Sequence, residues 1–211
     1  ETLAAVTGDG TEDVKLNSIV IDLTPRETPN ISKVPELSGE KHDFRITDEN
    51  LGVGGEKVKY KANVAAIRLL NELEAENRRA TPEEQEILSR YVGWGALSAA
   101  FDENNSSWSA EYAELKSLLT PDEYDGAKAT TLNAHYTSPV VIAAMYEGLK
   151  NLGFTSGNVL EPAMGVGNFF GMMPEEMSDS KRYGVELDSL TGRIAKQLYQ
   201  TADIQVTGFE N

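Results

Sequence analysis

The chain has 211 residues, 40% of them hydrophobic, enough for the packed core of one ordinary domain with an appendage. Its formal charge is −15, and three successive blocks are all acidic, at −7 for residues 1–56, −4 for 57–130 and −4 for 131–211. Phosphate neutralisation supplies most non-specific nucleic-acid affinity, so DNA binding by this stretch alone is expected to be weak or nil. Cysteine is absent and His42 and His135 are the only imidazoles, which excludes a disulfide framework and argues against a metal centre. With no run of eighteen apolar residues, no charged-then-apolar leader and no lipidation signal, no membrane partner is expected and a cytoplasmic protein is the default.

Residues 1–56 read as an N-terminal extension and linker. Val14, Leu16, Ile19, Ile21 and Leu23 alternate loosely, as in one strand or hairpin arm, and Pro25, Pro29 and Pro35 then interrupt the chain as far as Gly39. Leu51-Gly52-Val53-Gly54-Gly55-Glu56-Lys57 lacks the Gly-Lys-Ser/Thr ending of a phosphate loop, so it reads as a flexible loop entering a helix. The alternative is that Lys57, Lys59 and Lys61 touch a nucleic-acid backbone.

Residues 57–132 read as a helical region. Val64, Ile67, Leu70 and Leu73 recur at three-residue steps and predict an amphipathic helix from Lys61 to Arg79. Thr81-Pro82-Glu83-Glu84 is a capping box opening a second helix that carries Ile87, Leu88, Tyr91 and Val92 and ends at Gly93-Trp94-Gly95. Trp94 and Trp108 read as buried anchors, with base stacking as the alternative for Trp94. Tyr112, Leu115, Leu118 and Leu119 mark a third helix, and Thr120-Pro121-Asp122-Glu123 caps a fourth.

Residues 133–211 change character. Ser138-Pro139 opens a helix to about Leu152, stopped by Gly153, with Val141, Ile142, Met145, Tyr146 and Leu149 as its core face. Val159-Leu160-Glu161 reads as a strand, followed by Pro162-Ala163-Met164-Gly165-Val166-Gly167-Asn168-Phe169-Phe170, in which two glycines let a ligand approach the backbone before a helix. Arg182 to Asp188 reads as a second short strand ending in an acid, Ser189 to Tyr199 as a crossover helix with Asp188 as its N-cap, and Asp203 to Thr207 as a third strand. Right-handed crossovers place the three strands in one parallel sheet with a ligand crevice at their carboxyl ends, near Glu161, Glu186 and Phe209. The expected class is α/β, a helical region followed by the first part of a Rossmann-like doubly wound sheet.

Two features narrow the ligand. Phe170 stands where a dinucleotide fingerprint needs its third glycine, and Glu161 would repel a pyrophosphate while suiting an ammonium or sulfonium group. Glu186 lies 21 residues after Gly165, the distance at which an acid accepts ribose hydroxyls. Together they favour S-adenosylmethionine over NAD or flavin.

Glu161, Pro162, Gly165, Gly167 and Phe169 match the Asp/Glu-Pro-x-x-Gly-x-Gly-x-Phe motif, and here the chain resembles class I S-adenosylmethionine-dependent methyltransferases of the adenine-specific DNA type. The stretch from Phe44 to Phe101, with Tyr91-Val92-Gly93-Trp94-Gly95, is similar to the large methylase-helicase proteins of conjugative plasmids and transposons. His135-Tyr136-Thr137-Ser138-Pro139 resembles the family's aromatic-Thr-Pro segment, with Ser138 displacing the proline by one. The resemblance implies a truncated methyltransferase fold whose cofactor contacts are Tyr136, Thr137, Glu161, Pro162, Gly165, Gly167, Asn168, Phe169, Glu186 and Phe209, the last with Gly208 where the family has an acid.

The family's Asn/Asp-Pro-Pro-aromatic loop, which holds the acceptor amine, does not occur in residues 1–211. The chain therefore reads as part of a larger protein from a mobile element, inactive alone and bound to DNA only through the rest of that protein. A methyltransferase of RNA or protein remains open, as does a non-catalytic methyltransferase-like scaffold in a conjugation or helicase complex.

Overall fold

Three parallel strands, β1 (Asn158–Glu161), β2 (Lys181–Glu186) and β3 (Asp203–Val206), lie side by side in chain order. Glu161 pairs in register with Gly184, and Glu186 with Val206, so the carboxyl ends of β1 and β2 share one edge. The computed structural model describes residues 36–48, 52–132 and 136–210. The alternation expected over residues 14–23, the prolines to 35 and His135 lie outside the described residues.

Around the sheet are α1 (Glu56–Ala75), α2 (Pro82–Leu88), α3 (Ser109–Leu118), α4 (Pro121–Thr130), α5 (Pro139–Asn151), the single turn α6 (Asn168–Gly171) and α7 (Ser189–Leu198). The class is α/β, as expected. Val64, Ile67, Leu70 and Leu73 are all buried on one face of α1, which starts five residues earlier than the apolar pattern marks and ends at Ala75. The stop short of Arg79 comes from Asn77, whose φ of 50° leaves the helical region in the left-handed conformation that asparagine tolerates.

Both capping boxes form. Thr81 accepts from the Glu84 N–H and Thr120 from that of Glu123, and each glutamate side chain returns to the N–H of its threonine. Glu123 also pairs with Arg193, whose guanidinium takes Glu74 on its other side, so one cation joins α4, α7 and α1. Trp94 is fully buried and meets Phe101 edge-on at 5.2 Å, while Phe101 packs on Tyr124 at 5.3 Å. Both tryptophans are anchors, as expected. The same hydrophobic cluster continues through Leu190, Ile194 and Ile204, so the helical region and the sheet share a core.

Two buried glutamines stitch α2 to α7. The Gln85 amide donates to the carbonyls of His42, Gln197 and Leu198, and Gln197 accepts the Ala80 N–H at 2.8 Å. The described end of the expected linker is strapped to this seam. The Phe44 N–H donates to the Leu198 carbonyl, the Ile46 N–H to that of Gly171, and Asp43 pairs with Arg182. Residues from Leu37 onward accordingly belong to one compact unit.

Three expectations are corrected. Ile87 is exposed, because α2 ends at Leu88 and only Gln85 and Leu88 of that helix are buried. On α5, Ile142 and Tyr146 are buried, but Val141, Met145 and Leu149 are exposed, and among the described residues β1 pairs with β2 alone. The helix expected after Gly167 is one turn only, with Pro174 close behind it.

Candidate functional site

A cavity of about 290 Å³ opens at the carboxyl ends of β1 and β2. Seven of the ten expected residues line it: Tyr136, Thr137, Glu161, Gly165, Asn168, Phe169 and Glu186. Pro162, Gly167 and Phe209 do not. Pro162 is exposed on the loop, Gly167 faces Tyr199, and Phe209 lies largely in solvent beyond β3.

The loop after β1 is shaped by glycine. At Gly165, with φ 56°, a Cβ would sit 2.8 Å from the Tyr136 ring; at Gly167, with φ 83°, it would sit 2.5 Å from the buried Tyr199 ring. Phe170 does fill the position where a third glycine would fall, buried edge-on against Tyr199 at 5.7 Å. The small residue is one step further on, at Gly171, in close contact with Tyr199 and Ile46.

Glu186 fixes the loop's position. One carboxylate oxygen accepts the Gly165 N–H and the other the Asp188 N–H, both at 2.8 Å. Each oxygen keeps a further lone pair. The Met164 N–H donates to the Val185 carbonyl at 3.0 Å, so the loop folds back onto β2, where Gly184 leaves room for the Met164 thioether. Asp188 caps α7 by accepting the Thr191 N–H at 2.9 Å.

Glu161 is differently placed. One of its carboxylate oxygens is buried with no hydrogen-bond partner, and burial followed by the nearby Glu186 charge pushes the carboxyl up to about 8. Three carboxylates, Glu161, Glu186 and Asp188, line the cavity, and no lysine or arginine does. Its field is that of a cation site.

Two aromatic side chains form the walls. The Tyr136 ring lies over the backbones of both Gly165 and Gly93, and its hydroxyl would be 3.1 Å from a Cβ on Gly93. Burial, then Glu186 and Asp188, push the Tyr136 phenol up, so it stays neutral. Phe169 is held by the Tyr146 hydroxyl, which donates to its carbonyl at 2.7 Å, and by ring contact with Tyr146 at 6.3 Å.

Gly93, Thr130, Ala163, Met164, Asp188 and Thr191 also line the cavity, though sequence reasoning did not place them there. Gly93 was the legible one, since a glycine beside a tryptophan marks a close approach, and buried Asn63 holds it from both sides. The Asn63 amide donates to the Gly93 carbonyl at 2.6 Å and its oxygen accepts the Val92 N–H at 2.9 Å. Lys57 is committed elsewhere, paired with Glu111 and stacked over Trp108 at 3.8 Å. Among the described residues no helix is long and apolar enough to cross a membrane.

No family model matches this chain, and no solved structure matches it. Over 159 residues it is 25% identical to the Defense against restriction protein B of Escherichia phage P1. That similarity covers 75% of this chain but 6% of the phage protein, so the chain spans a small part of its relative's length.

Proposed function

We propose that the cavity at the ends of β1 and β2 binds S-adenosylmethionine, and that the chain is the cofactor-binding part of an adenine-specific DNA methyltransferase with a Rossmann-like fold. The observation that carries this reading is the buried Glu161 oxygen without a partner, in a cavity whose ionisable lining holds acids and no lysine or arginine. An unpaired buried carboxylate is costly unless a ligand supplies the missing donor or positive charge. An ammonium group supplies both and a sulfonium supplies the charge, whereas the pyrophosphate of NAD or a flavin dinucleotide would meet an acidic lining with no cation in it.

In this reading Glu161 takes the cationic end of the ligand, the free lone pairs of Glu186 accept ribose hydroxyls, and Tyr136 and Phe169 exclude water from either side. Gly165 lets the ligand and the Tyr136 ring approach the same stretch of backbone. Bound there, the cofactor supplies a methyl group on a sulfonium, ready for displacement by an amine. Residues 1–211 contain no Asn/Asp-Pro-Pro-aromatic loop, so this reading gives the chain cofactor binding and assigns methyl transfer to the whole protein.

The phage relative fits a reading in which the whole protein works against restriction. A methyl group on an adenine amine changes the donor pattern displayed in the major groove, which is what a sequence-reading nuclease would contact.

Calorimetric titration of the chain with S-adenosylmethionine and, in parallel, NAD tests the proposal. Binding of the first alone, weakened at least tenfold by Glu161→Gln and by Glu186→Ala, is the expected result. Binding of NAD, or affinity for S-adenosylmethionine unchanged in both variants, would overturn it.

A further inference from the structure

The buried face of α1 is apolar from Val64 to Leu73, yet Asn63 belongs to it and has no exposed surface. A buried carboxamide is costly unless its hydrogen bonds are made. Asn63 spends both halves of its amide on the loop after α2: its Nδ2 donates to the Gly93 carbonyl at 2.6 Å and its Oδ1 accepts the Val92 N–H at 2.9 Å. A leucine would serve the helix better. The asparagine serves the loop.

Gly93 lines the first cavity, whereas Asn63 does not. With φ at 66°, Gly93 takes the Tyr136 ring directly on its backbone, since a Cβ there would lie 3.1 Å from the Tyr136 hydroxyl. The same ring covers Gly165, whose N–H Glu186 holds at 2.8 Å. Glycine makes this contact possible and also makes it soft, because a peptide next to glycine swings between conformations closed to other residues. Tyr91 and Trp94, both buried and meeting edge-on at 6.3 Å, anchor the chain on either side of Gly93 without fixing the peptide plane between them. Asn63 fixes that plane by gripping a donor on one side of it and an acceptor on the other.

We propose that Asn63 is a positioning residue for the ligand of the first cavity: by clamping the Val92 N–H and the Gly93 carbonyl it sets where the Tyr136 ring stands over Gly165, and so the width of the cavity. The assignment rests on the reading of that cavity as an S-adenosylmethionine site. It makes the helical region part of the ligand site rather than a neighbour of it, and Thr130, at the end of α4, lines the cavity from the same region.

The test is calorimetric titration of Asn63→Asp and Asn63→Leu with S-adenosylmethionine, beside the unaltered chain and Gln85→Leu. Asn63→Asp keeps the shape and the acceptor for Val92 but turns an oxygen toward the Gly93 carbonyl, and Asn63→Leu removes both partners. Affinity should fall at least fivefold in both. It should stay within twofold in Gln85→Leu, which breaks buried hydrogen bonds at the seam of α2 and α7 and so controls for lost stability. Hydrogen exchange of the free proteins gives a reading that needs no ligand. Relative to the most protected core amides, protection of the Gly165 N–H should fall at least fivefold in the Asn63 variants and not in the control. Should either Asn63 variant fail to unfold cooperatively, the other decides. Affinity unchanged in the Asn63 variants, affinity lowered equally in Gln85→Leu, or unchanged Gly165 exchange overturns the proposal. If the unaltered chain binds no S-adenosylmethionine, the cofactor reading falls, and Gly165 exchange alone decides whether Asn63 sets the cavity.

Discussion

Replacing Glu161 with glutamine should make the free protein more stable and, on the proposed reading, its S-adenosylmethionine complex weaker, two effects of opposite sign from one isosteric change. The carboxyl rises from 4.5 to about 8 in the folded chain, first through burial and then through Glu186. At about 1.4 kcal/mol per unit this disfavours the ionised folded state by up to about 5 kcal/mol, and solvent at the cavity mouth reduces it to about 2–3 kcal/mol. Below about pH 4.5 the group is protonated in both states and contributes no difference. Between there and about pH 8 the folded protein holds a proton that the unfolded chain releases, so stability falls as pH rises, and above about 8 the loss is complete. Glu84, whose carboxyl Arg78 holds down, acts with the opposite sign, so the quantity to read is the difference between variant and parent. Urea unfolding of both proteins from pH 5 to 9 should show the glutamine form gaining with pH, to about 2–3 kcal/mol at pH 9. In the thermal transition that corresponds to roughly 2–4 °C per kcal/mol. A difference that stays flat across this range would falsify the assignment of Glu161 as a buried carboxylate awaiting a cation.

Two glycines should respond to alanine in opposite directions. Gly167→Ala places a Cβ 2.5 Å from the Tyr199 ring at a φ of 83°, and should cost about 2–4 kcal/mol in urea unfolding. Gly148→Ala adds a methyl to the interior of α5 with nothing within 4 Å, and should raise stability by about 0.5–1 kcal/mol. Gln85→Leu leaves the His42, Gln197 and Leu198 carbonyls without their shared donor and should cost about 2–4 kcal/mol, with the seam between α2 and α7 losing hydrogen-exchange protection first.

The strands, their order and the sharing of one edge by Glu161 and Glu186 were legible because each depends on local signals: short β-rich runs, turn residues and right-handed crossovers. The two capping boxes were legible for the same reason. What failed depended on neighbours distant in sequence. Nothing in the periodicity of α5 shows that Val141 and Met145 face outward, because an apolar row looks the same whether or not a strand lies beside it. Phe209 follows β3 as a ligand-contacting residue would, but local sequence does not set where the chain turns after Val206. The strap at residues 43–46 was hidden by the prolines before it, while the hydrogen bonds that hold it come from Leu198 and Gly171, far along the chain.

Tyr136 had two readings, a residue reaching a ligand or a packing residue, and its ring both packs between two loops and lines the first cavity. Its ring occupies the space above Gly93 and Gly165 that a Cβ on either would take, so it wedges the helical region against the loop after β1. Asn63 holds the Gly93 side of that wedge through two hydrogen bonds, and Glu186 holds the Gly165 side through one. Tyr136→Leu should therefore cost about 1–3 kcal/mol in urea unfolding and lower hydrogen-exchange protection at the Val92 and Gly165 N–H groups together, and loss at one of them alone would refute the wedge.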